Sequence, residues 1–546
     1  MKKKQILAVA LVLVMALGIL AACAPAATPE GGAPAAPVAA APGQQPAAPA
    51  TPDHVFEVVA EAPPEEAIFQ EHLNIHVTDR IAVIDLFNPA FGNPQIIVVC
   101  NMIFNNLIHQ TVDGNYEPEL AHSWHTDDWQ TFTFYLRDDV YFHNGERFTA
   151  HDVAFTIYMM RQSPGTQIYN RLNQIVSYEI VDDFTIILTL RGVNVDFEAD
   201  ISTRSAAVVN RVAYETCPDT GPWIGTGPWI VSAFESNDFV TFVRNENFWD
   251  PDRIPVTQSI TFRNVAEETA RLIMFENGDL DFLRIDPAHV PTFKDDPRFV
   301  MTAYTANNLN SIGFNMLDPL MADLNFRRAV AHAFNPYDYV AITLNGFGIP
   351  ATWGTFWGYR TEFRNDDIPG IPFDLDRARE YLALTAYAGE TLEIVASTPH
   401  AILNAQVFQA QMAAIGIDVD VFQTDGATFA TYAAWGNSEH QFVSGSSVWS
   451  HLASSVRATF YPGQTGNRVN YNNPVVAEML DRALETFDRA EREAIYREVQ
   501  EIIAQDIPYI GIFHMVLYIA GQEGTGGFLP WPNNNHDWSQ AFRVIG

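Results

Sequence analysis

"IFNNLIHQTVDGNYEPELAHSWHTDDWQTFTFYLRDDVYFHNGERFTAHDVAFTI", residues 103–157, is the stretch whose reading decides the fold. It begins at the end of an apolar run, Ile96 to Ile108, that predicts a helix. "TFTFYLR", 131–137, sets Phe132, Phe134 and Leu136 on one face, the period-two pattern of a half-buried strand. Thr149 with Asp152 three residues on is a capping box, and "HDVAFTIYMMR" is the helix it starts. Helix, turn, alternating strands and capped helix thus follow one another within a short span.

The same mixture continues in both directions. "HLNIHVTD", 72–79, reads as a strand with Leu73, Ile75 and Val77 on one face, and "IDLFNPAFGNP", 84–94, as a loop. "FTIILTL", 184–190, is a strand, and "IGTGPW", 224–229, a glycine-rich chain reversal or hinge turn. "EETARLIMFENGDLDF", 267–282, is a helix stopped by Asn277-Gly278, where glycine takes the left-handed conformation that a helix end demands, followed by a strand. "LNFRRAVAHAF", 324–334, and "DLDRAREYLAL", 374–384, are helices, and "AQVFQAQMAAIGIDVDVFQ", 405–423, is helix, Gly416, strand. Pro474–Gln505 reads as two helices with a buried side that includes Met479, Leu480, Phe487, Ile495 and Val499. Their outer face carries Glu478/Arg482, Glu485/Arg489, Asp488/Arg492 and Glu493/Arg497, acid before base at helical spacing. The class is α/β or mixed, without a simple βαβα ladder, which points to lobes built from non-contiguous segments.

The first residues read as an address. Lys2, Lys3 and Lys4 precede an apolar run from Ile6 to Leu20, too short to span a bilayer comfortably. Leu20-Ala21-Ala22-Cys23 then looks like the bacterial lipobox, in which the thiol receives a diacylglycerol. Residues 24–66 are mostly Ala, Pro and Gly, a spacer too poor in large apolar side chains to make a core. The expectation is an extracytoplasmic body, lipid-anchored at Cys23. Its formal charge of −34, with Lys294 the one lysine after the first four residues, repels nucleic acid and anionic headgroups. Cys100 and Cys217 lack metal-ligand spacing and read as two buried, inert thiols.

Catalytic signals are lacking. There is no GxxxxGK[ST], HExxH, CxxC or GxSxG. His122 and His125 would seat a metal if they lay on a helix, but Trp124 intervenes and a hydrated polar turn accounts for the run. Neither an enzyme, a metal site nor a cofactor is expected.

The pieces "NNL", "PELAHSW", "FTFYLR" and "YFHNGERFTAHDV" resemble the signature region of the family 5 extracellular solute-binding proteins of ABC importers, the oligopeptide, dipeptide and nickel group. "IGTGPWIV", "VRNENFWD", "ETARLIMFENGDLDF", "FNMLDPLMADLNFRRAVAHAFN", "QAQMAAIGIDVDV", "RVNYNNPVVAEMLDRAL" and "DIPYIGIFH" follow in family order, so the resemblance covers about 70–546. It implies a two-lobed periplasmic-binding-protein-like fold, type II, with the extra domain of the large peptide-binding group. Residues 1–23 would be the signal peptide and 24–66 the linker. Lobe one would comprise 67–110, 224–312 and 516–546, the extra domain 111–223, and lobe two 313–515, with hinge segments near 310–315 and 512–518. The implied function is capture of an oligopeptide between lobes and delivery to ABC permease subunits with their ATPases, by a monomer; the alternative is an oligosaccharide or other uncharged solute.

One departure bears on the ligand. Peptide-binding members of the family commonly carry an acid shortly after a lobe-two tryptophan, holding the peptide's amine. Trp449 matches that tryptophan, but no Asp or Glu occurs from Gln441 to Tyr471. The implied ligand contacts are Trp449, His451 and Ser446, with Trp353 and Trp357 from a lobe-two loop and Phe91 and Asn93 from the first loop of lobe one. Aromatic faces with hydroxyl and amide groups suit either ligand class.

Overall fold

The computed structural model describes residues 64, 67–77, 80–91, 93–111, 115–352, 363–437, 439–448, 452–530 and 536–545. One large sheet organises them. Its strands are β1 (His72–His76), β8 (Trp229–Glu235), β9 (Phe239–Arg244), β10 (Ser259–Arg263), β11 (Phe282–Ile285), β12 (Phe299–Phe314), β13 (Ile349–Pro350), β14 (Leu392–Ala396), β15 (Val419–Gln423), β16 (Phe442–Val448) and β17 (Tyr509–Gln522). In spatial order it runs β15-β14-β16-β12-β17-β11-β1-β10-β9-β8, with β13 also on β17.

β12 and β17 are the two long strands, and they hold two halves together. Phe299–Thr305 of β12 pairs with Val516–Gln522 of β17 beside β11, on the side of β1 and β8–β10. Leu309–Gly313 pairs with Tyr509–His514 on the side of β14–β16. Between these stretches the register slips twice, at Thr305/Leu309 and at Asn310/Ser311. Such bulges interrupt the ladder and bend the strand, so the two long strands bend at the crossing. The far half packs one core on each face of its strands. Phe314, Phe326, Phe408 and Phe442 fill one; Leu309, Val395, Val443, Tyr496 and Val499 fill the other.

The segment quoted first contributes β4 (Ala121–His125) and β5 (Thr131–Leu136) to a separate antiparallel sheet, β4-β5-β7-β6, completed by β6 (Ile175–Asp182) and β7 (Thr185–Leu190). Phe132, Phe134, Ile186 and Leu188 are buried on it. The helix Ala150–Gln162 has its full capping box, Thr149 and Asp152 satisfying each other's backbone. The adjoining helix is shorter than its apolar run. It spans Asn93–Ile103, and Ile108 begins β2 (Ile108–Gln110). Asn105 and Asn106 break it by turning to a buried carboxylate: the Asn105 amide and the Asn106 N–H both donate to Glu119 at 2.8 Å. The glycine-rich turn closes on that helix end. A Cβ on Gly225 would lie 1.8 Å from the Ile103 carbonyl oxygen, and on Gly227 2.6 Å from the Ile103 carbonyl carbon.

Four further expectations are corrected. His122 and His125 lie on β4 rather than in a turn; His122, at the bulge between Ala121 and Ser123, stacks on Tyr135, and His125 lies 3.1 Å from Asp127. Among the described residues no cluster of His, Cys, Asp and Glu could hold a metal. Cys100 is buried, whereas Cys217, ending a short surface helix, is exposed; both are free thiols. Two of the four helical acid–base pairs give way to other partners. Arg492 donates to the Thr486 and Phe487 carbonyls at the end of the preceding helix, and Arg497 pairs with Asp367 at 2.5 Å. Phe487 is 51% exposed because the chain leaves the helix Pro474–Glu485 before reaching it.

Candidate ligand cleft

β14 runs parallel to both β15 and β16, so their carboxyl ends share one edge of the far half. Open α/β sheets bind ligands at that edge. The helix Pro399–Ala413 starts there, with Thr398 as its N-cap. The Ser444 hydroxyl donates to the Ala401 carbonyl at 2.9 Å and fixes the start of the helix over β16.

β16 is unevenly paired. All of it lies along β12, from Phe442 opposite Phe314 to Val448 opposite Asn308. On its other side β14 pairs only with Phe442 and Val443. Gly445 to Val448 therefore has no strand partner on that edge among the described residues. Ser446, exposed, sits opposite Asn310. Opposite residues of an antiparallel pair share a face, so both belong to one wall. Asn310 is 4% exposed with its Nδ2 unpartnered, and Asn404, on the overlying helix, is 1% exposed with both side-chain polar atoms unpartnered. Asn308 Oδ1 and Thr424 Oγ1 are buried and unpartnered too.

The facing side comes from the β1–β11 half and the small sheet. After β11, Asp286 reaches to 4.0 Å from His400 of the helix Pro399–Ala413, a contact between the two halves. In the small domain, the Trp124 indole donates to Glu198 at 2.6 Å. Burial raises the Glu198 pKa, opposed by that hydrogen bond and by the charge of Arg492 from the far half. In the first loop, the Asp85 carboxylate accepts from the Phe87 N–H at 3.0 Å and from the Tyr214 hydroxyl at 3.2 Å. Burial lifts its pKa above the ordinary carboxylate value. At the crossing, His514 is buried on β17, and desolvation, helped by the Arg364 charge, holds its pKa down to about 3.

A buried ion pair inside the small domain is tied to the first half through Asn105, Asn106 and His109. Arg204 Nη1 lies 2.9 and 3.1 Å from the two Glu119 oxygens, and its Nη2 lies 3.0 Å from His109 Nδ1. Asn105 extends the knot, accepting from Thr226 at 2.9 Å and from Trp249 at 3.1 Å.

Of the residues expected at the site, Ser446 lies on the wall just described. Phe91 is 2% exposed, within the hydrophobic core of the first half. Asn93 opens the helix Asn93–Ile103. Trp353, Trp357, Trp449, His451 and Cys23 lie outside the described residues. Sequence reasoning missed Asn308, Asn310, Asn404 and the Asp286–His400 contact. The first two carried a signal in "ANNLNSIGF", 306–314, asparagines inside an otherwise apolar strand.

Comparison with known proteins agrees with this architecture. Residues 115–467 match the model of the bacterial extracellular solute-binding proteins, family 5, middle region. The nickel-binding periplasmic protein of Escherichia coli is 25% identical over 478 residues, 80% of this chain and 88% of that protein. Di/tripeptide-binding protein 1 of Pseudomonas aeruginosa is 25% identical over 458 residues, 76% and 84% of the two chains. Among solved structures, a putative peptide-binding protein AppA from Clostridium difficile superposes with a TM-score of 0.77 at 20% identity, over 87% of this chain and all of that one. DppA from Helicobacter pylori, in complex with the peptide STSA, gives 0.74 at 21% identity, over 87% and 99%. The expected fold class is thereby borne out. With this match spanning both halves of the large sheet, the chain belongs to the bacterial extracellular solute-binding proteins of family 5, a family of binding proteins and not of enzymes.

Proposed function

We propose that this protein captures an oligopeptide between its two lobes and presents it to the permease of an ABC importer. The observation that carries this reading is the edge of Gly445–Val448, without a strand partner among the described residues, at the carboxyl ends of parallel strands. An extended peptide can add there as a further strand, its main chain supplying affinity whatever its side chains. The di/tripeptide-binding relative and the peptide-bound DppA fold support the same class. Ser446 lies on the strand that receives the peptide. Trp449, His451, Trp353 and Trp357 complete the lobe-two side, and Phe91 and Asn93 border the lobe-one side. Lobe one comprises 67–110, 224–312 and 516–546, the extra domain 111–223, and lobe two 313–515. Closure turns about the β12/β17 crossing, and the ligand favours the closed state by its differential affinity. Cys23 carries the lipid that holds the monomer at the membrane beside its permease; Cys23→Ser is expected to move the protein from the membrane to the soluble fraction.

A second reading has its own support: the stretch Gln441–Tyr471 contains no acid, which suits an oligosaccharide or another uncharged solute. Thermal melting against peptide and glycan panels separates the two. Stabilisation by peptides of three to six residues is expected, since a ligand at a hundred times its Kd adds about 2.7 kcal/mol. Stabilisation by cello-oligosaccharides alone would overturn the peptide reading.

A further inference from the structure

We infer that Asn310, Asn404 and Ser446 form an uncharged wall that takes a neutral donor–acceptor group of the ligand, a main-chain amide under the peptide reading on which this rests, in place of a free ammonium. Three observations place them together. Ser446 and Asn310 are register partners on one face of β16 and β12. The Ser444–Ala401 bond sets the helix Pro399–Ala413 over that face. Gln411, seven residues after Asn404 and so on the same side of the helix, donates to the Asn335 carbonyl at 3.0 Å and to Asp338 at 3.1 Å. The helix beginning at Pro336 contacts both this helix and β17, and Asn404 lies on the side of the helix Pro399–Ala413 that faces it, beyond β16 in the direction of β12 and β17 in the strand order.

Much of the hydrogen-bonding capacity of the two asparagines is unused among the described residues. Asn310 Nδ2, Asn404 Oδ1 and Asn404 Nδ2 are buried without partners. Buried polar atoms in folded proteins are nearly always paired, and leaving them unpaired destabilises the protein. A leucine of similar size would fill either position without that cost. The asparagines are therefore not explained by packing, and a partner arriving with the ligand explains them.

The chemistry of that partner follows from the donors and acceptors. A carboxamide offers both, the complement of another amide or of a hydroxyl. An ammonium offers donors only and needs a counter-charge, without which its burial is heavily penalised. The nearby charges are engaged elsewhere. Asp425 caps its helix by accepting from Thr428, Asp286 accepts from the Ala288 N–H while facing His400, and Arg457 pairs with Asp481. Arg468 lies beside Gly445 and the Phe429 ring, on the opposite face of β16 from Ser446.

The test uses the whole protein, freed of co-purified ligand, and a pentapeptide library offered half with free and half with acetylated N-termini. Captured peptides are counted by mass spectrometry, and melting is measured without ligand. The wild type is expected to capture both forms to within about threefold, and Asn310→Leu and Asn404→Leu to melt no lower than wild type while capturing at least about tenfold less. Asn404→Asp, close in shape, is expected to shift capture toward free amines by about tenfold, which keeps the test alive should a leucine variant misfold. Exclusion of the acetylated peptides by the wild type, or wild-type capture by the variants, would overturn the wall and leave the peptide reading intact. If neither peptide form is captured, the peptide reading falls. The wall then stands only if cello-oligosaccharides are captured and lost in the variants; equal capture, or none, overturns it as well.

Discussion

Replacing Arg204 by Met tests what the buried Glu119–Arg204 pair of the small domain contributes to stability. Glu119 is 1% exposed and Arg204 9%. Burial alone would raise the Glu119 pKa. The charges of Arg204, His109 and Arg253 outweigh it and hold the group below its ordinary value of 4.5. In Arg204→Met the carboxylate keeps the Asn105 and Asn106 donors but loses its counter-charge. Removing one partner of a buried pair costs about 3–5 kcal/mol, most of it the stranded charge. Adding Glu119→Gln removes that charge and is expected to recover more than half of the loss, a coupling read from the double-mutant cycle. Urea unfolding midpoints at pH 7 measure both effects. The pH sign is also fixed. In the wild type, with the folded pKa depressed, the stabilisation is present above pH 4.5 and is lost as pH falls through the lower folded value. In Arg204→Met the sign reverses, and the deficit shrinks as acid neutralises Glu119. A loss under about 1 kcal/mol, or no recovery in the double variant, would refute the reasoning.

Further outcomes follow from the same contacts. Gly225→Ala drives a methyl into the Ile103 carbonyl and is expected to cost about 3 kcal/mol in urea unfolding, with Gly192→Ala, whose Cβ meets nothing within 4 Å, as the mild control. His143 is neutral in the fold, one ring nitrogen accepting from the Gly225 N–H at 3.3 Å and the other donating to the Gly227 carbonyl at 3.0 Å. Burial lowers its pKa from 6.5 to about 4, so the unfolded chain binds the proton first and stability falls as pH drops from 6.5 to about 4. His143→Gln is expected to lower that slope by up to one proton, about 1.4 kcal/mol per pH unit, in unfolding free energies measured across this range; an unchanged slope would contradict the assignment.

Local grammar was legible where the chain obeys it. Thr149 and Asp152 cap the helix as they read, Phe132 and Phe134 are buried in alternation, and Gly278 and Gly416 stop their helices with φ of +82° and +83°. Tertiary partners were not legible. Arg492 and Arg497 were spaced to pair along their helix, yet they bind the preceding helix end and Asp367. Asn105 and Asn106 end an apolar run that periodicity alone would extend, because Glu119 lies beneath them. The pairing of β12 with β17 joins segments about two hundred residues apart, and no local pattern encodes it. The candidate wall was half legible for the same reason. Ser446 came from its place beside Trp449, whereas Asn310 and Asn404 meet only once β16, β12 and the helix are assembled.

Ligand-driven closure is the central claim, and a distance across the cleft tests it most directly. Spin labels on Asp295 and Asp376, both exposed and on the two sides of the proposed cleft, with Cys217→Ser and Cys23 removed, report it by pulsed electron resonance. Stripped of ligand, the protein is expected to show a broad distance distribution, and saturation with the peptide library to gather it into one closed population. An identical distribution with and without peptides and glycans would contradict the account.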